Sequence, residues 1–279
     1  MFGHLLLRES VQVAAKALAA NPPQGLLLVG PEGMGKYSLA MALAEQLVDH
    51  PTSSRVIAPD DKGTITIENI RELYKFTRAK QGGRQVIIIE HADRLSIEAE
   101  NAFLKLLEEP RDGLTFILTA VKLEALLPTI LSRVQPITMQ PLPDEAIRRF
   151  VVGRKPGIAA TDLSQLVFLA QGRPGTAVAL LDESTLSKQR ERMQIVKQLI
   201  AGKPYERFRI AAKLSASRED TIQTLTAMSH VVEVQLSSAS SRAQALRWVT
   251  LADALGETLH TLSHNANVRA QLLYLFSRY

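Results

Sequence analysis

Short apolar runs alternate with helical patterns over the first half of the chain. Because a fully buried strand reads as a continuous apolar run, we predict strands at Leu26–Val29, Arg55–Ala58, Val86–Ile89, Leu114–Thr119 and Pro136–Met139. Apolar residues at helical spacing predict helices at Val11–Ala20, Lys36–Val48, Ile67 to about Lys80, and Ser96 to Pro110, with Thr66 and Ser96 as N-caps. Strands separated by helices favour a mostly parallel sheet covered on both faces.

Only helical patterns follow Pro143. Three short helices come first, and five longer ones are predicted at Leu186–Ala201, Tyr205–Leu214, Asp220–Leu236, Arg242–Leu262 and Val268–Phe276. We therefore predict three domains: an α/β base over residues 1–141, a small helical unit over 142–183 and an all-helical domain over 184–279.

Composition excludes several classes of protein. The 279 residues contain no cysteine, which rules out a disulfide scaffold, a thiol nucleophile and a cysteine-based zinc site. No apolar run approaches the roughly 20 residues of a membrane helix, and we predict a cytoplasmic protein without membrane contact. The net charge of +5 is uneven, since 13 Lys and Arg face 7 Asp and Glu from Thr185 onward. An anionic partner is therefore compatible with the charge.

A phosphate loop is the strongest chemical motif in the chain. Backbone N–H groups of such a loop, the following helix N-terminus and the lysine bind a di- or triphosphate. A glycine-rich strand-to-helix turn without a ligand is the alternative. The pattern G-x-x-x-x-G-K directly follows a predicted strand and precedes a predicted helix, and it comprises Gly30, Pro31, Glu32, Gly33, Met34, Gly35 and Lys36.

The residue after the lysine departs from this motif. A Ser or Thr hydroxyl normally ligates Mg²⁺ there, and this chain has Tyr37. A phenol oxygen lies too far from its backbone to take that place, and Ser38 points about 100° away around the helix. We therefore expect weak ATP binding or none, and impaired positioning of Mg²⁺.

The predicted strand Val86–Ile89 ends without the second carboxylate that ATP hydrolysis commonly uses. Hydrolysis requires an acidic residue near the metal and a group that orients the attacking water. Glu90 provides a carboxylate one methylene longer than Asp, whereas His91 stands where a second carboxylate is expected. An imidazole titrates near neutral pH and is a possible base, so a catalytic His91 and a surface histidine at a strand end both stay open.

Four segments resemble the clamp-loader family of AAA+ proteins. Ile88–Pro110 is similar to the family's acidic strand end and the helix that closes with Leu-Glu-Glu-Pro. Leu127–Val134 is similar to its Ser-Arg-Cys segment, and Leu169–Gly175 to the Gly-Ser-Pro-Gly turn of its lid. Asn265–Arg269 is similar to the end of a collar domain. The resemblance implies an AAA+ base, a helical lid over 142–183 and a helical collar over 184–279.

The resemblance also implies a subunit that does not hydrolyse ATP itself. Tyr37 and His91 fit such a role, as do Ala120 and Val121 where family ATPases carry a polar sensor, and Gly175 where they carry a lid arginine. Many members hold zinc in a cysteine-rich insertion, which this chain lacks. The implied function is support of ATP-dependent loading of a sliding clamp onto primed DNA, within the DNA polymerase III holoenzyme.

Arg133 is the candidate for a catalytic role in a neighbouring subunit. In the family, this arginine enters the ATP site of a neighbouring subunit, where it stabilises charge on the transferred phosphoryl group. The alternative is a solvated loop arginine. The partners implied by the resemblance are the tau and gamma ATPase subunits, the delta subunit, the sliding clamp and primed DNA.

A basic stripe on the third predicted helix is the candidate for DNA contact. Arg71, Lys75 and Arg78 follow each other at helical spacing and share one face. Such a stripe contacts phosphates without reading bases, and a solvated basic face explains the pattern equally well.

An active AAA+ motor, either the hydrolysing clamp-loader subunit or a branch-migration helicase, is the alternative function, and an unrelated P-loop kinase explains the helical last third less well.

Overall fold

The computed structural model describes residues 5–78, 83–108 and 111–278, except for the side chains of Arg78 and Ser263. Within this part of the chain, five strands form one sheet in which all neighbouring strands run parallel, as predicted. The strands are β1 Gly25–Val29, β2 Ser54–Ile57, β3 Gln85–Ile89, β4 Leu114–Ala120 and β5 Gln135–Thr138. Their order across the sheet is β2-β3-β4-β1-β5.

The helices around the sheet begin and end close to their predicted bounds. Ser96 caps the fourth helix, because its hydroxyl accepts the Ala99 N–H at 3.2 Å. Thr66 directly precedes α3, at the position predicted for its N-cap, and its hydroxyl donates to Asn69 Oδ1. The predicted helix ends at Lys80 and Pro110 lie outside the described residues. The observed helices are α1 Glu9–Ala20, α2 Lys36–Leu47, α3 Ile67–Arg78, α4 Ile97–Glu108, α5 Pro128–Leu131, α6 Asp144–Arg154, α7 Ala160–Ala170 and α8 Pro174–Ala179.

The apolar core of this part surrounds β3 and β4. Both strands are buried along their whole length, as expected for parallel strands covered on both faces. Phe103 of α4 meets Phe116 of β4 edge to face, with ring centroids 5.1 Å apart. Because the strands are parallel, the carboxyl ends of β1, β3 and β4 lie at one edge of the sheet, where ligands of α/β proteins bind.

The chain divides into two compact units between Asp182 and Glu183. The second unit is helical, and its core includes Met228, Trp248 and Leu251. Its helices are α9 Glu183–Ala201, α10 Pro204–Leu214, α11 Arg218–Ser237, α12 Arg242–Ser263 and α13 Val268–Arg278. The further division of the first unit into base and lid stays a prediction. Throughout the described chain, every helix is too short or too polar to cross a membrane.

Candidate functional site

The phosphate loop connects β1 to α2, as its sequence predicts. Gly33 and Gly35 have φ angles of 77° and 82°, which non-glycine residues rarely adopt. Gly35 is also the N-cap of α2, so the free N–H groups of that helix begin directly at the loop. The loop therefore has the backbone shape of an anion-binding turn.

Lys36 is bound to the loop itself. Its side chain is buried, and its Nζ donates to the carbonyl oxygens of Gly30 at 2.6 Å and Pro31 at 2.8 Å. Burial lowers the pKa of Lys36, and the nearby carboxylates of Glu32 and Asp93 partly offset this effect. These bonds use two of the three N–H donors of the ammonium group, so one donor is left for a phosphate.

Tyr37 and Ser38 both line a cavity of about 480 Å³ beside α2. Tyr37 is 39% exposed, and the other cavity walls include Leu5, Phe150 and Val178. The aromatic ring thus borders an open, largely apolar space. A short hydroxyl side chain at this position would serve as the usual metal ligand.

The end of β3 carries an unusual turn. His91 has a φ of 51°, and its backbone N–H donates to the hydroxyl of the buried Thr119 at 2.9 Å. Glu90 donates its backbone N–H to Ile57 of the neighbouring strand. Asp93 Oδ1 is buried and has no hydrogen-bond partner among the described residues. This edge therefore holds one orphaned acceptor close to Lys36.

Sequence reasoning missed Thr119 and Asp93. It considered Ala120 and Val121 as the sensor position, although Thr119 is the residue whose side chain reaches the end of β3. A buried threonine near the end of an otherwise apolar strand was the available signal. Asp93 was quoted within the acidic strand end but was given no role.

The start of α8 and the residue before it lie beside the loop. The N–H of Gly175 donates to the carbonyl oxygen of Gly33 at 2.7 Å. Burial lowers the pKa of Arg173, and the carboxylate of Glu32 in the loop opposes this shift. Sequence reasoning noted the glycine at 175 and missed the arginine two positions earlier.

The residues present fit a phosphate group better than a metal ion. The loop glycines, the α2 N-terminus and Lys36 are the donor set that phosphate requires. Asp93 Oδ1 is an acceptor that a cation could satisfy, but Mg²⁺ also takes a short hydroxyl in such loops, which Tyr37 does not supply. Among the described residues, no group of three or more His, Asp or Glu side chains could hold a metal ion.

Arg133 lies on the surface, just before β5. Its guanidinium donates to Glu108 Oε1 at 3.0 Å and to the Thr129 carbonyl at 2.9 Å. Both side chains of the ion pair are substantially exposed, at 37% and 51%. The preceding helix α5 was not predicted, because four residues are too few to give a helical pattern.

Arg133 and the phosphate loop lie at opposite edges of the sheet. The Arg133 carbonyl is beside Gly25, at the start of β1, whereas the loop follows Val29, at its end. Five strand residues span roughly 15 Å. An arginine side chain cannot reach across that distance, so Arg133 does not enter the site of its own chain.

The basic stripe on α3 is only partly described. Arg71 and Lys75 are exposed, and Arg71 lies 3.8 Å from Glu68 Oε1. The side chain of Arg78 lies outside the described residues. The structure therefore places two of the three candidate DNA contacts on the surface.

Comparison with known sequences identifies relatives in DNA replication. The family described as DNA polymerase III, delta subunit, matches residues 52–143. DNA polymerase III subunit delta′ of Pseudomonas aeruginosa is 31% identical over 207 residues, which cover 65% of this chain and 62% of that protein. Replication factor C subunit 3 of Saccharomyces cerevisiae is 34% identical over 44% of this chain and 38% of its own length. The chain thus spans less than two thirds of these relatives.

Solved structures share the fold. A DNA polymerase III gamma subunit-related protein of Thermotoga maritima has a TM-score of 0.56 at 17% identity, over 96% of this chain and 98% of that chain. The RuvB Holliday junction branch migration motor of the same organism has a TM-score of 0.51 at 17% identity, over 74% and 80%. The fold and the phosphate loop define an AAA+ protein. Within that class, the chain is similar to DNA polymerase III delta′ subunits, so the resemblance stated from the sequence is confirmed.

Proposed function

We propose that this chain is a clamp-loader subunit that does not hydrolyse ATP itself and supports ATP-dependent loading of a sliding clamp onto primed DNA. The observation that carries the proposal is Tyr37, because its bulky phenol replaces the short hydroxyl that holds Mg²⁺ beside a phosphate loop. His91, whose backbone has a φ of 51°, also supports a subunit without hydrolysis. Its imidazole supplies no fixed negative charge at the end of β3, where a second carboxylate is expected.

The loop and Lys36 would hold the phosphates of a bound nucleotide, and ATP would supply the anhydride bond that the loader as a whole cleaves. Burial disfavours the charged form of Lys36 and lowers its pKa, and Tyr37 supplies no short hydroxyl for the Mg²⁺ that accompanies a nucleotide. We therefore infer weak ATP binding or none at this site, with Mg²⁺ poorly held and zinc not used.

We infer that Arg133 acts on a neighbouring subunit. It is exposed, it lies at the sheet edge away from its own loop, and its ion-pair partner Glu108 is itself exposed. An exposed ion pair contributes little stability, so the guanidinium is released at small cost. In a neighbour's ATP site it would stabilise the charge on the transferred phosphoryl group.

The proposed partners follow from the names of the relatives, which are components of DNA polymerase III or replication factor C. These names support partners within a clamp loader, and we propose the tau and gamma ATPase subunits, the delta subunit, the sliding clamp and primed DNA, in the cytoplasm. The exposed Arg71 and Lys75, together with Arg78, are the proposed contacts to DNA phosphates.

Two measurements test the proposal. The purified chain is expected to hydrolyse ATP no faster than its Lys36→Met variant, with Lys16→Met as an exposed control. Loading of the clamp onto primed DNA by the sister ATPase and the delta subunit is expected to require addition of this chain. A steady-state ATPase of the isolated chain that disappears in Lys36→Met, and not in Lys16→Met, would favour the motor instead.

A further inference from the structure

The helical second unit contains a groove that the proposed function leaves unused. It lies between α9, α10 and the start of α11, and its volume is about 760 Å³. The residues that line it fall between Lys188 and Thr224, within the second compact unit. The groove is therefore formed by the helical unit alone.

Basic side chains outnumber acidic ones around this groove. Four basic residues line it, and they belong to the 13 Lys and Arg residues found from Thr185 onward. Two acidic residues, Glu191 and Asp220, also line it. Part of the basic excess of this region is thus gathered at one surface, which favours an anionic partner. The four basic residues are Lys188, Arg192, Arg209 and Lys213.

Arg192 is a mostly buried cation with a loosely bound partner. Its side chain is 14% exposed, and its Nη2 lies 3.5 Å from Asp220 Oδ1, on a side chain that is 63% exposed. Close bonds between a guanidinium and a carboxylate measure about 2.7–2.9 Å, and a guanidinium has five N–H donors. Because removing a cation from water is costly unless it is well paired, a second carboxylate placed here would stabilise Arg192 further.

The groove also has an apolar lining. Ile195 of α9 and Ile210 and Leu214 of α10 line it, are partly buried and pack against the core of the unit. Removing such apolar surface from water on binding is favourable. A ligand that fills the groove therefore gains from apolar groups as well as from negative charge.

These properties favour a peptide over a nucleic acid. A nucleic acid strand carries a negative charge at every nucleotide, and Glu191 and Asp220 repel such a continuous charge. Proteins that bind single strands also stack the bases on aromatic side chains, and none of the described residues that line the groove is aromatic. An amphipathic peptide instead presents apolar residues at helical spacing together with separate carboxylates.

We propose that this groove docks an acidic amphipathic segment of a partner protein. The apolar residues of the segment cover Ile195, Ile210 and Leu214, and its carboxylates pair with Arg192 and Lys213. Clusters of arginine recognise acidic motifs in other proteins, and arginine is enriched in protein interfaces. The proposal concerns the helical unit and does not depend on the nucleotide chemistry of the phosphate loop.

The test measures binding of a fluorescent peptide to the full chain by anisotropy at low salt. In this peptide leucines recur at helical spacing and glutamates fill the other positions, and a second peptide has glutamine in place of every glutamate. The glutamate peptide is expected to bind about fivefold or more tightly than the glutamine peptide, because its charges complement the groove. Amide exchange is expected to slow in segments 188–198 and 209–217 when the glutamate peptide binds.

Lys213→Glu and Lys197→Glu are a matched pair of variants. Both lysines are exposed and belong to the same unit, and of the two Lys213 lines the groove. Lys213→Glu is expected to weaken binding of the glutamate peptide about fivefold or more, whereas Lys197→Glu should bind it nearly as the wild type does. Arg192→Gln removes the mostly buried charge and is expected to weaken binding as well; Lys213→Glu decides the test if Arg192→Gln does not fold.

Several results would overturn this proposal. They are no binding of the glutamate peptide, equal binding of the glutamine peptide, and equal weakening by Lys213→Glu and Lys197→Glu. An oligothymidylate strand is the comparison for nucleic acid. If this strand binds more tightly than the glutamate peptide and loses its affinity in Lys213→Glu, the groove is a nucleic-acid site instead. ATP hydrolysis is assayed separately, so this proposal and the proposed function can fail independently.

Discussion

The phosphate loop and the Arg133 segment lie at opposite edges of one sheet and differ in how their cations are held. Lys36 is buried and bonded to two backbone carbonyls, whereas Arg133 is exposed and paired with an exposed carboxylate. Releasing Lys36 disrupts a buried set of hydrogen bonds, and releasing Arg133 costs little. The exposure and weak pairing of Arg133 support the proposal that it acts on a neighbouring subunit.

The largest expected effect separates these two regions. In a reconstituted loader, Arg133→Ala is expected to lower the ATPase rate at the site that receives the arginine by roughly 10³-fold, because the developing phosphoryl charge loses its cation. A loader with further ATP sites retains their turnover. DNA-stimulated ATPase, measured with assembly monitored by gel filtration, checks the prediction.

Glu108→Gln is the matched control for Arg133→Ala. It removes the charge that pairs with Arg133 and leaves the guanidinium in place. The ATPase of the loader is therefore expected to stay at or above the wild-type rate. Equal rates for Arg133→Ala and the wild type, with the complex intact, would show that the exposed arginine has no role in a neighbour's site.

A smaller effect concerns the edge of the sheet that carries the loop. Thr119→Val removes the hydroxyl that accepts the His91 N–H, and it keeps the size of the side chain. We expect a loss of about 1–2 kcal/mol in the free energy of unfolding, since a partly buried donor loses its acceptor. Denaturant unfolding measures the loss.

Amide exchange at His91 provides the control for this prediction. Thr119→Ser keeps the hydroxyl and is expected to retain the protection of the His91 N–H, whereas Thr119→Val loses it. Identical exchange in both variants would mean that the bond from the His91 N–H to the Thr119 hydroxyl does not hold the turn after β3.

The sequence predicted the sheet and most helices because their signals are local. The buried runs of β3 and β4 have no polar interruption that competes with a strand, apart from the threonines of β4. The phosphate loop was equally readable, since glycines at fixed spacing before a lysine have few other uses. Short elements such as α5 carry too few residues for a pattern.

Contacts between distant segments could not be read in this way. Gly175 was interpreted as the position of a family arginine, and its contact with Gly33, which is 142 positions earlier, was not predicted. Arg173 and Thr119 were missed for the same reason, because their roles depend on which loop or strand end lies beside them. Spacing along the chain predicts neighbours on one element, but it does not predict which elements meet.

The smallest expected effect concerns the support of the Arg133 segment. Glu100 is buried on α4 and accepts the Leu127 N–H at 3.3 Å, just before α5. Burial raises the pKa of Glu100, and the bond from Leu127 partly opposes this. The native state thus keeps its proton to a higher pH than the unfolded state does, and stability falls as pH rises through the raised pKa.

Glu100→Gln is therefore expected to be more stable than the wild type at pH 7, by about 1 kcal/mol or less, since glutamine accepts the same bond without a charge. This advantage should vanish as pH falls below the ordinary pKa of a glutamate, as measured by denaturant unfolding between pH 4 and 7. The same change at the exposed Glu124 is the control and should alter little. An advantage that grows on acidification would contradict a buried, charged Glu100. Because glutamine at 100 keeps the bond from the Leu127 N–H, the ATPase rate of a reconstituted loader should be unchanged in Glu100→Gln. This result would show that the bond to Leu127, and not the charge of Glu100, supports the segment that carries Arg133.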